Sequence, residues 1–143
     1  MSAINQHNLA IFRQSLQRVT ASTEFLDCFY DGFIAHSGEI GGFFKNRDMR
    51  QLKKKLRETL FMLAETAEGQ PGLMLYIEML GRVHARLKVQ RKHFVIWEEA
   101  LLEAVKRYDN EFDDKVLAAW LEVIDNVIET MFRALDEAKR LAS

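Results

Sequence analysis

The chain has few of the residues that interrupt or cross-link secondary structure, since its 143 residues include one Pro, seven Gly and one Cys. The shortage of Pro and Gly favours an all-α fold, and the length suits a single domain over residues 1–143. Because Cys28 stands alone, it can form neither an internal disulfide nor a cysteine metal cluster. A small disulfide-linked secreted domain is therefore excluded, and a reducing compartment is expected.

The sequence also lacks an excess of either charge and any long apolar run. Lys and Arg number 20 against 21 Asp and Glu, which gives a net charge of −1 and argues against a general nucleic-acid binder. No apolar stretch approaches the roughly 20 residues that a bilayer requires, so no membrane span is expected. The first sixteen residues show no signal-peptide pattern, which favours a cytoplasmic location.

What the sequence does contain is helical periodicity. Apolar residues recur every three or four positions, without the strict alternation of strands, and this predicts six or seven helices in one compact unit. Ser22 or Thr23 and Asp48 are expected to cap helices, and Pro71 suits the first turn of another. The predicted helical segments are residues 4–20, 23–36, 48–68, 71–88, 91–108 and 114–141, with a short turn at 39–44.

One histidine of the four lies within an apolar helical stripe. His84 follows Leu80 by four positions and Ile77 by seven. A histidine on such a face is most often a core or boundary residue, so another role needs support from its surroundings. Protease-like arrangements, a phosphate-binding loop and paired His and carboxylate ligands for zinc or di-iron find little support in the sequence.

A basic segment occupies residues 45–57, where seven basic residues outnumber the one acidic residue, Asp48. A solvated helix face is the ordinary explanation for such a cluster. The functional alternatives are the carboxylates of a bound ligand, an acidic protein partner, or an electron donor attracted by charge. The basic residues are Lys45, Arg47, Arg50, Lys53, Lys54, Lys55 and Arg57.

Several aromatic and histidine residues follow one another in the order found in a known family. They are residues 29–33 (FYDGF), Phe44, residues 52–56, residues 80–84 (LGRVH), His93-Phe94 and Ala119-Trp120. In this order the chain resembles a bacterial single-domain globin, related to the haem domain of flavohaemoglobins. The resemblance covers nearly the whole chain. It implies a globin-like fold of six to eight helices around a pocket for haem b, iron protoporphyrin IX.

The resemblance implies a role for each matched position. His84 is the implied iron ligand, and its other ring nitrogen donates to a backbone carbonyl near Leu80. Tyr30 is implied to donate a hydrogen bond to bound dioxygen. Phe44 packs on the porphyrin ring, and Leu56 lies above the iron. The remaining implied cofactor contacts are Leu52, Leu80, Phe94 and Trp97.

The chain departs from the family pattern at Leu52, where many relatives have a glutamine or histidine that shares the hydrogen bonding. Two interpretations follow. Either Tyr30 is the only strong donor in the pocket, or the register is shifted by one residue, so that Gln51 or Lys53 turns inward. In the second case Lys53 could itself bind the iron.

A second departure is Phe94, ten residues after His84, where flavohaemoglobins usually have a tyrosine. In that family the tyrosine and a glutamate of the last helix form a network that makes the histidine more anionic and favours oxygen chemistry. Phe94 has no hydroxyl, so the network is broken on one side. Asp136 and Glu137 lie near the matching stretch of the last helix, but neither is placed well enough to be its partner.

Three functions are compatible with the resemblance. The first is reversible binding of dioxygen, nitric oxide or carbon monoxide by a haem globin that acts as a carrier, a store or a sensor input. The second is nitric oxide dioxygenation, which requires a separate reductase that the basic segment would recruit. The third is a haem-free signalling globin, against which the presence of both His84 and Tyr30 argues. The oligomeric state is expected to be either monomer or homodimer.

Overall fold

The computed structural model describes residues 5–65 and 71–142, which form seven α-helices and, within these ranges, no strand. The prediction of an all-α fold is confirmed, and the predicted helices are present with ends shifted by a few residues. The predicted start at residue 4 and the predicted end at residue 68 lie outside the described residues. The helices are α1 Gln6–Thr20, α2 Phe25–Ala35, α3 Gly38–Phe43, α4 Met49–Glu65, α5 Pro71–Arg86, α6 Arg91–Tyr108 and α7 Asp114–Ala142.

Of the segment 39–44, predicted to be a turn, residues 39–43 belong instead to the short helix α3. The Ser37 hydroxyl caps this helix by accepting a hydrogen bond from the Ile40 N–H at 3.2 Å. Ile40 is completely buried, so tertiary packing outweighs the low helix propensity of the three glycines in α3. Because α3 ends at Phe43, Phe44 occupies its C-cap position.

The other two predicted caps differ in outcome. Asp48 accepts a hydrogen bond from the Gln51 N–H at 3.2 Å, as expected for a cap of α4. Ser22 accepts one from the Glu24 N–H at 3.2 Å, but the N-cap residue of α2 is Glu24, whose side chain makes no capping bond. The prediction that Ser22 or Thr23 caps α2 is therefore wrong by one or two positions.

The core lies where α1, α2, α6 and α7 meet. Phe12 of α1 meets Trp120 of α7 edge to face, with a ring-centroid distance of 4.7 Å, and both rings are fully buried. α4 packs on α1, whereas α5 packs on α7. The helices on either side of residues 66–70 are thus held by different parts of the core. None of the described helices has the length and apolarity needed to cross a membrane.

A buried polar network joins α1 to α7 through the loop that precedes α7. Arg18 donates to the Asp109 carboxylate through Nε at 2.6 Å and Nη2 at 2.9 Å, and the Ser15 hydroxyl donates at 2.6 Å. The Trp120 indole N–H in turn donates to the Ser15 hydroxyl at 2.8 Å. Burial opposes ionisation of Asp109, but the hydrogen bonds from Arg18, Ser15 and the Glu111 N–H outweigh it and lower the pKa of this carboxyl.

Gly81 allows α5 to approach α7 very closely. A Cβ atom at this position would lie 2.8 Å from the Met131 carbonyl oxygen and 2.9 Å from the Ala134 Cβ. Both distances are too short for real carbon contacts, and the first involves backbone that cannot rotate away. The glycine therefore determines the spacing between α7 and the helix that carries His84.

Candidate functional site

The candidate pocket is bounded by α4 on one side and α5 on the other. Within residues 5–65 and 71–142, these two helices are not among the pairs that pack extensively against each other. Thr59 of α4 and Tyr76 of α5 are joined by a side-chain hydrogen bond of 3.3 Å. Residues implicated by the sequence are carried by both helices and by their neighbours α2, α3 and α6.

On the α5 side, the His84 ring is held by its own helix. Its Nδ1 lies 2.6 Å from the Leu80 carbonyl oxygen, and because a carbonyl can only accept, Nδ1–H is the donor. This is the hydrogen bond that the family resemblance implies. Burial lowers the pKa of His84, although the bond to Leu80 acts in the opposite direction. The ring is therefore neutral at ordinary pH, with an unprotonated Nε2.

Aromatic hydrocarbon surrounds the histidine. Phe94 of α6 is buried and meets the His84 ring edge to face at a centroid distance of 5.5 Å. Behind it, Phe132 of α7 meets Phe94 at 5.2 Å and lies under the Arg91 guanidinium at 4.3 Å. Phe132 was missed by the sequence analysis because it lies beside the α7 stripe of Val127, Met131 and Leu135 rather than on it.

The two acidic residues of α7 that were considered as partners on this side lie at the surface. Asp136 is exposed and forms an ion pair with Arg91. Glu137 is also exposed. Neither carboxylate belongs to a buried network with His84. The chain therefore departs from the flavohaemoglobin pattern at the acidic position of α7 as well as at Phe94.

On the α4 side, Tyr30 is a buried residue, 7% exposed, that carries a phenolic hydroxyl. Its ring meets Phe44 edge to face at 5.7 Å, and Phe44 meets Phe33 at the same distance. Among the described residues, none forms a hydrogen bond with the Tyr30 hydroxyl. Desolvation raises the pKa of Tyr30 to about 12, so the phenol keeps its proton. Tyr30 thus carries a protonated donor that no described residue engages.

The structure distinguishes among the three α4 residues whose orientation was in question. Leu52 and Leu56 are half-buried and pack against the core. Gln51 is exposed, and the Lys53 ammonium lies 2.8 Å from the Asp27 carboxylate of α2. In this arrangement neither of the polar neighbours of Leu52 turns inward.

The remaining predicted contacts come together through α2 and α6. Trp97 is half-buried and meets the fully buried Phe29 ring edge to face at 5.7 Å. Phe29 also contacts Tyr30 at 4.7 Å. Leu80 is half-buried one turn before His84. Phe29 and Phe33, which the resemblance matched without assigning them a role, therefore pack against Tyr30 and Phe44.

A second histidine fixes α3 against the start of α6. The His93 Nδ1 accepts a hydrogen bond from the Gln90 N–H at 2.8 Å, and its Nε2 donates to the Glu39 carboxylate. Together with the Lys92 ammonium, 3.2 Å away, this bond lowers the pKa of Glu39. Phe43 meets the His93 ring at 5.0 Å. The chain is therefore held in place immediately before Phe44.

The basic segment forms a largely unpaired positive surface. Lys53 is engaged with Asp27, and Arg57 lies over the Phe61 ring at 4.8 Å. In the part of the chain that the structure describes, no carboxylate forms an ion pair with the six basic residues other than Lys53. All six are exposed to solvent.

Comparisons with known proteins agree with this architecture. A family model described as Globin matches residues 29–131. The crystal structure of protein PA3967 from Pseudomonas aeruginosa PAO1, described as structurally highly homologous to a human hemoglobin, matches with a TM-score of 0.82 and 31% identity, covering 90% of this chain and 98% of that one. A search of curated proteins gives no match. The relation to flavohaemoglobins in particular stays a prediction. The chain belongs to the globin family.

Proposed function

We propose that this globin binds haem b and, through it, reversibly binds dioxygen or another diatomic gas, with His84 as the iron ligand and Tyr30 as the hydrogen-bond donor to the gas. The observation that carries the proposal is the bond from the His84 Nδ1 to the Leu80 carbonyl. It holds the ring in one orientation and leaves Nε2 as a neutral lone-pair donor, which is the form that a metal requires. The iron would supply the position at which the gas is taken up.

The other described residues fit a flat, mostly apolar group. Phe44, Leu52 and Leu56 present aromatic and aliphatic surface on the α4 side, and Phe94 does so beside His84. With haem bound against it, this surface would exclude water and so strengthen a hydrogen bond made to the gas. The unpaired Tyr30 hydroxyl provides one such donor. Since no described residue engages this hydroxyl, it is free to donate to a ligand, which supports a role toward one.

The enzymatic alternative, nitric oxide dioxygenation, is less well supported. The rings beside His84 are hydrocarbon, Phe94 in contact with it and Phe132 behind Phe94, and Phe94 lacks the hydroxyl that the network would need. The unpaired basic surface nevertheless suits an acidic electron donor. Adding nitric oxide to the oxygenated protein with a reductase separates the two functions. Repeated turnover that falls with added salt would favour the enzyme, and a single stoichiometric oxidation would favour the carrier.

Haem titration tests the main proposal. Wild-type protein mixed with haemin should give a Soret band that shifts with carbon monoxide after reduction. His84→Ala should lose haem or bind it with an altered spectrum that added imidazole restores. His7→Ala is the matched control, because His7 is an exposed residue of α1, and it should behave as wild type. A wild-type chain without a Soret band would refute haem binding, whereas an unchanged His84→Ala spectrum would refute only the ligand assignment.

A further inference from the structure

A surface cleft lies between the corner that joins α1 to α2 and the basic segment on α4. Its volume is about 380 Å³, which is within the range of small-molecule sites and leaves room for an organic group. The lining residues are 20, 22, 23 and 25–27 on one side, and Lys53, Lys54 and Arg57 on the α4 side. We call this feature the α2–α4 cleft. None of its lining residues is among the proposed haem contacts.

The α4 side of the cleft is strongly positive. Arg57 follows Lys54 by three positions and Lys53 by four, so the three side chains project from one side of the helix. Asp27 is the one carboxylate among the lining residues, and it lies 2.8 Å from the Lys53 ammonium. Lys54 and Arg57 are exposed, and no carboxylate of the described chain forms an ion pair with either. The cleft therefore has an excess of two positive charges.

Two hydrogen-bond donors of the cleft are already held in position. The Arg57 guanidinium lies over the Phe61 ring at 4.8 Å, which restrains a long side chain and leaves the N–H groups at its edge available. The Ser22 hydroxyl accepts a hydrogen bond from the Glu24 N–H at 3.2 Å, so its own O–H can donate to a ligand. An arginine edge beside a hydroxyl and an ammonium suits an anion with several oxygens.

The remaining surface of the cleft is apolar. Leu26 is half-buried in its lining, and Phe25 is completely buried beneath. An inorganic anion bound at the basic side would leave this surface in contact with water. A ligand that combines an anionic group with an apolar organic group would cover both parts, and burial of the apolar group would add to the affinity.

We propose that the α2–α4 cleft binds a small organic phosphate, with the phosphate group against Lys54, Arg57 and Ser22 and the organic group on the apolar lining at Leu26. A phosphate monoester carries a charge of about −1.5 to −2 near neutral pH, which matches the excess of two positive charges. A carboxylate supplies only one negative charge. The three terminal oxygens of the phosphate can each accept from a separate donor.

Calorimetric titration of the full-length protein with phenyl phosphate tests the site. The outcome is independent of haem binding, since the cleft contains neither His84 nor Tyr30. Phenyl phosphate should bind saturably. Inorganic phosphate should bind about tenfold more weakly, because it does not cover the apolar lining. Benzoate should also bind about tenfold more weakly, because it has the ring but only one negative charge.

Neutralising variants separate the cleft from the general positive charge of the basic segment. Lys54→Gln and Arg57→Gln should each weaken phenyl phosphate binding about tenfold. Lys55→Gln and Arg50→Gln are the matched controls, since they remove the same charge from exposed residues of α4 outside the cleft, and they should leave the affinity unchanged. Circular dichroism confirms that each variant is folded.

Three results would each overturn the proposal. The first is the absence of saturable phenyl phosphate binding to the wild type. The second is an equal effect of Lys54→Gln and Lys55→Gln, because a diffuse positive surface would not distinguish these neighbours. The third is binding of benzoate or inorganic phosphate as tightly as phenyl phosphate, which would show that the cleft does not recognise an organic phosphate.

Discussion

At the scale of single residues, the pocket depends on groups whose protonation is determined by burial. Desolvation raises the pKa of Tyr30 to about 12, so the hydroxyl keeps its proton at neutral pH. His84 has its pKa lowered and keeps a neutral ring. A donor on Tyr30 and a lone pair on His84 are thus available together at neutral pH.

Replacing Tyr30 by Phe should raise the dioxygen dissociation rate about tenfold or more, because one hydrogen bond in a dry pocket contributes about 1.4 kcal/mol or above. Stopped-flow displacement of dioxygen by carbon monoxide measures this rate. Gln51→Leu serves as the control, since Gln51 is exposed and should leave the rate unchanged. A larger effect at Gln51 than at Tyr30 would show that the donor has been assigned to the wrong residue.

A contact in the site can be predicted from the sequence when its two residues are close together in the chain, and not when they lie on different helices. The His84 to Leu80 bond spans one helical turn, so the resemblance together with helical periodicity was enough to anticipate it. The contact of Phe94 with Phe132 joins α6 to α7 and depends on how those helices cross. The pairing of Lys53 with Asp27 likewise requires the α2 to α4 packing. No local pattern in the sequence encodes either of these two contacts between helices.

At the scale of helices, the α5 to α7 contact positions His84. A glycine inside a helix costs about 1 kcal/mol relative to alanine, so a reason for its presence is expected. At Gly81 the reason is the backbone of α7, only 2.8 Å from where a Cβ would lie. Short helix α3 shows the same dependence on tertiary structure. Its glycines predicted a turn, and the burial of Ile40 makes it a helix.

Gly81→Ala should destabilise the protein by about 1–3 kcal/mol, because the added methyl group forces α5 away from α7. Haem should then be lost faster, since His84 moves with α5. Gly72→Ala is the matched control in the same helix: no atom lies within 4 Å of its Cβ position, and alanine should be neutral or stabilising there. Chemical denaturation and transfer of haem to apomyoglobin measure the two effects. Equal stabilities of the two variants would contradict the close-contact argument.

At the scale of the whole molecule, the Asp109 network holds the first and last helices together. It joins residues that are far apart in the chain, through two bonds from Arg18 and one from Ser15. Its carboxylate has a lowered pKa, so it contributes stability above the pKa of the unfolded chain. That contribution is lost as the pH falls through the lower, folded-state pKa.

Asp109→Asn should therefore lower the free energy of unfolding by about 1–3 kcal/mol at neutral pH, since it weakens charge-assisted hydrogen bonds in a buried position. The difference from wild type should shrink on acidification below the ordinary carboxyl pKa of 3.8. Urea unfolding at neutral and acid pH measures both quantities. Asp113→Asn provides an exposed comparison in the same loop. A difference from wild type that is independent of pH would exclude the lowered pKa as its source.

The separate packing of α4 on α1 and of α5 on α7 has a consequence for motion. Because α5 packs mainly on α7, we expect it to open locally while the contacts of α1 with α7 and of α2 with α6 stay intact, at a lower cost than global unfolding. In the haem-free protein, we expect amide hydrogens of α5 to exchange with solvent faster than those of α1, and haemin to slow exchange chiefly in α5. Equal exchange in both helices would contradict this. The retention of haem and the packing of α5 on α7 would then be coupled, so that each stabilises the other.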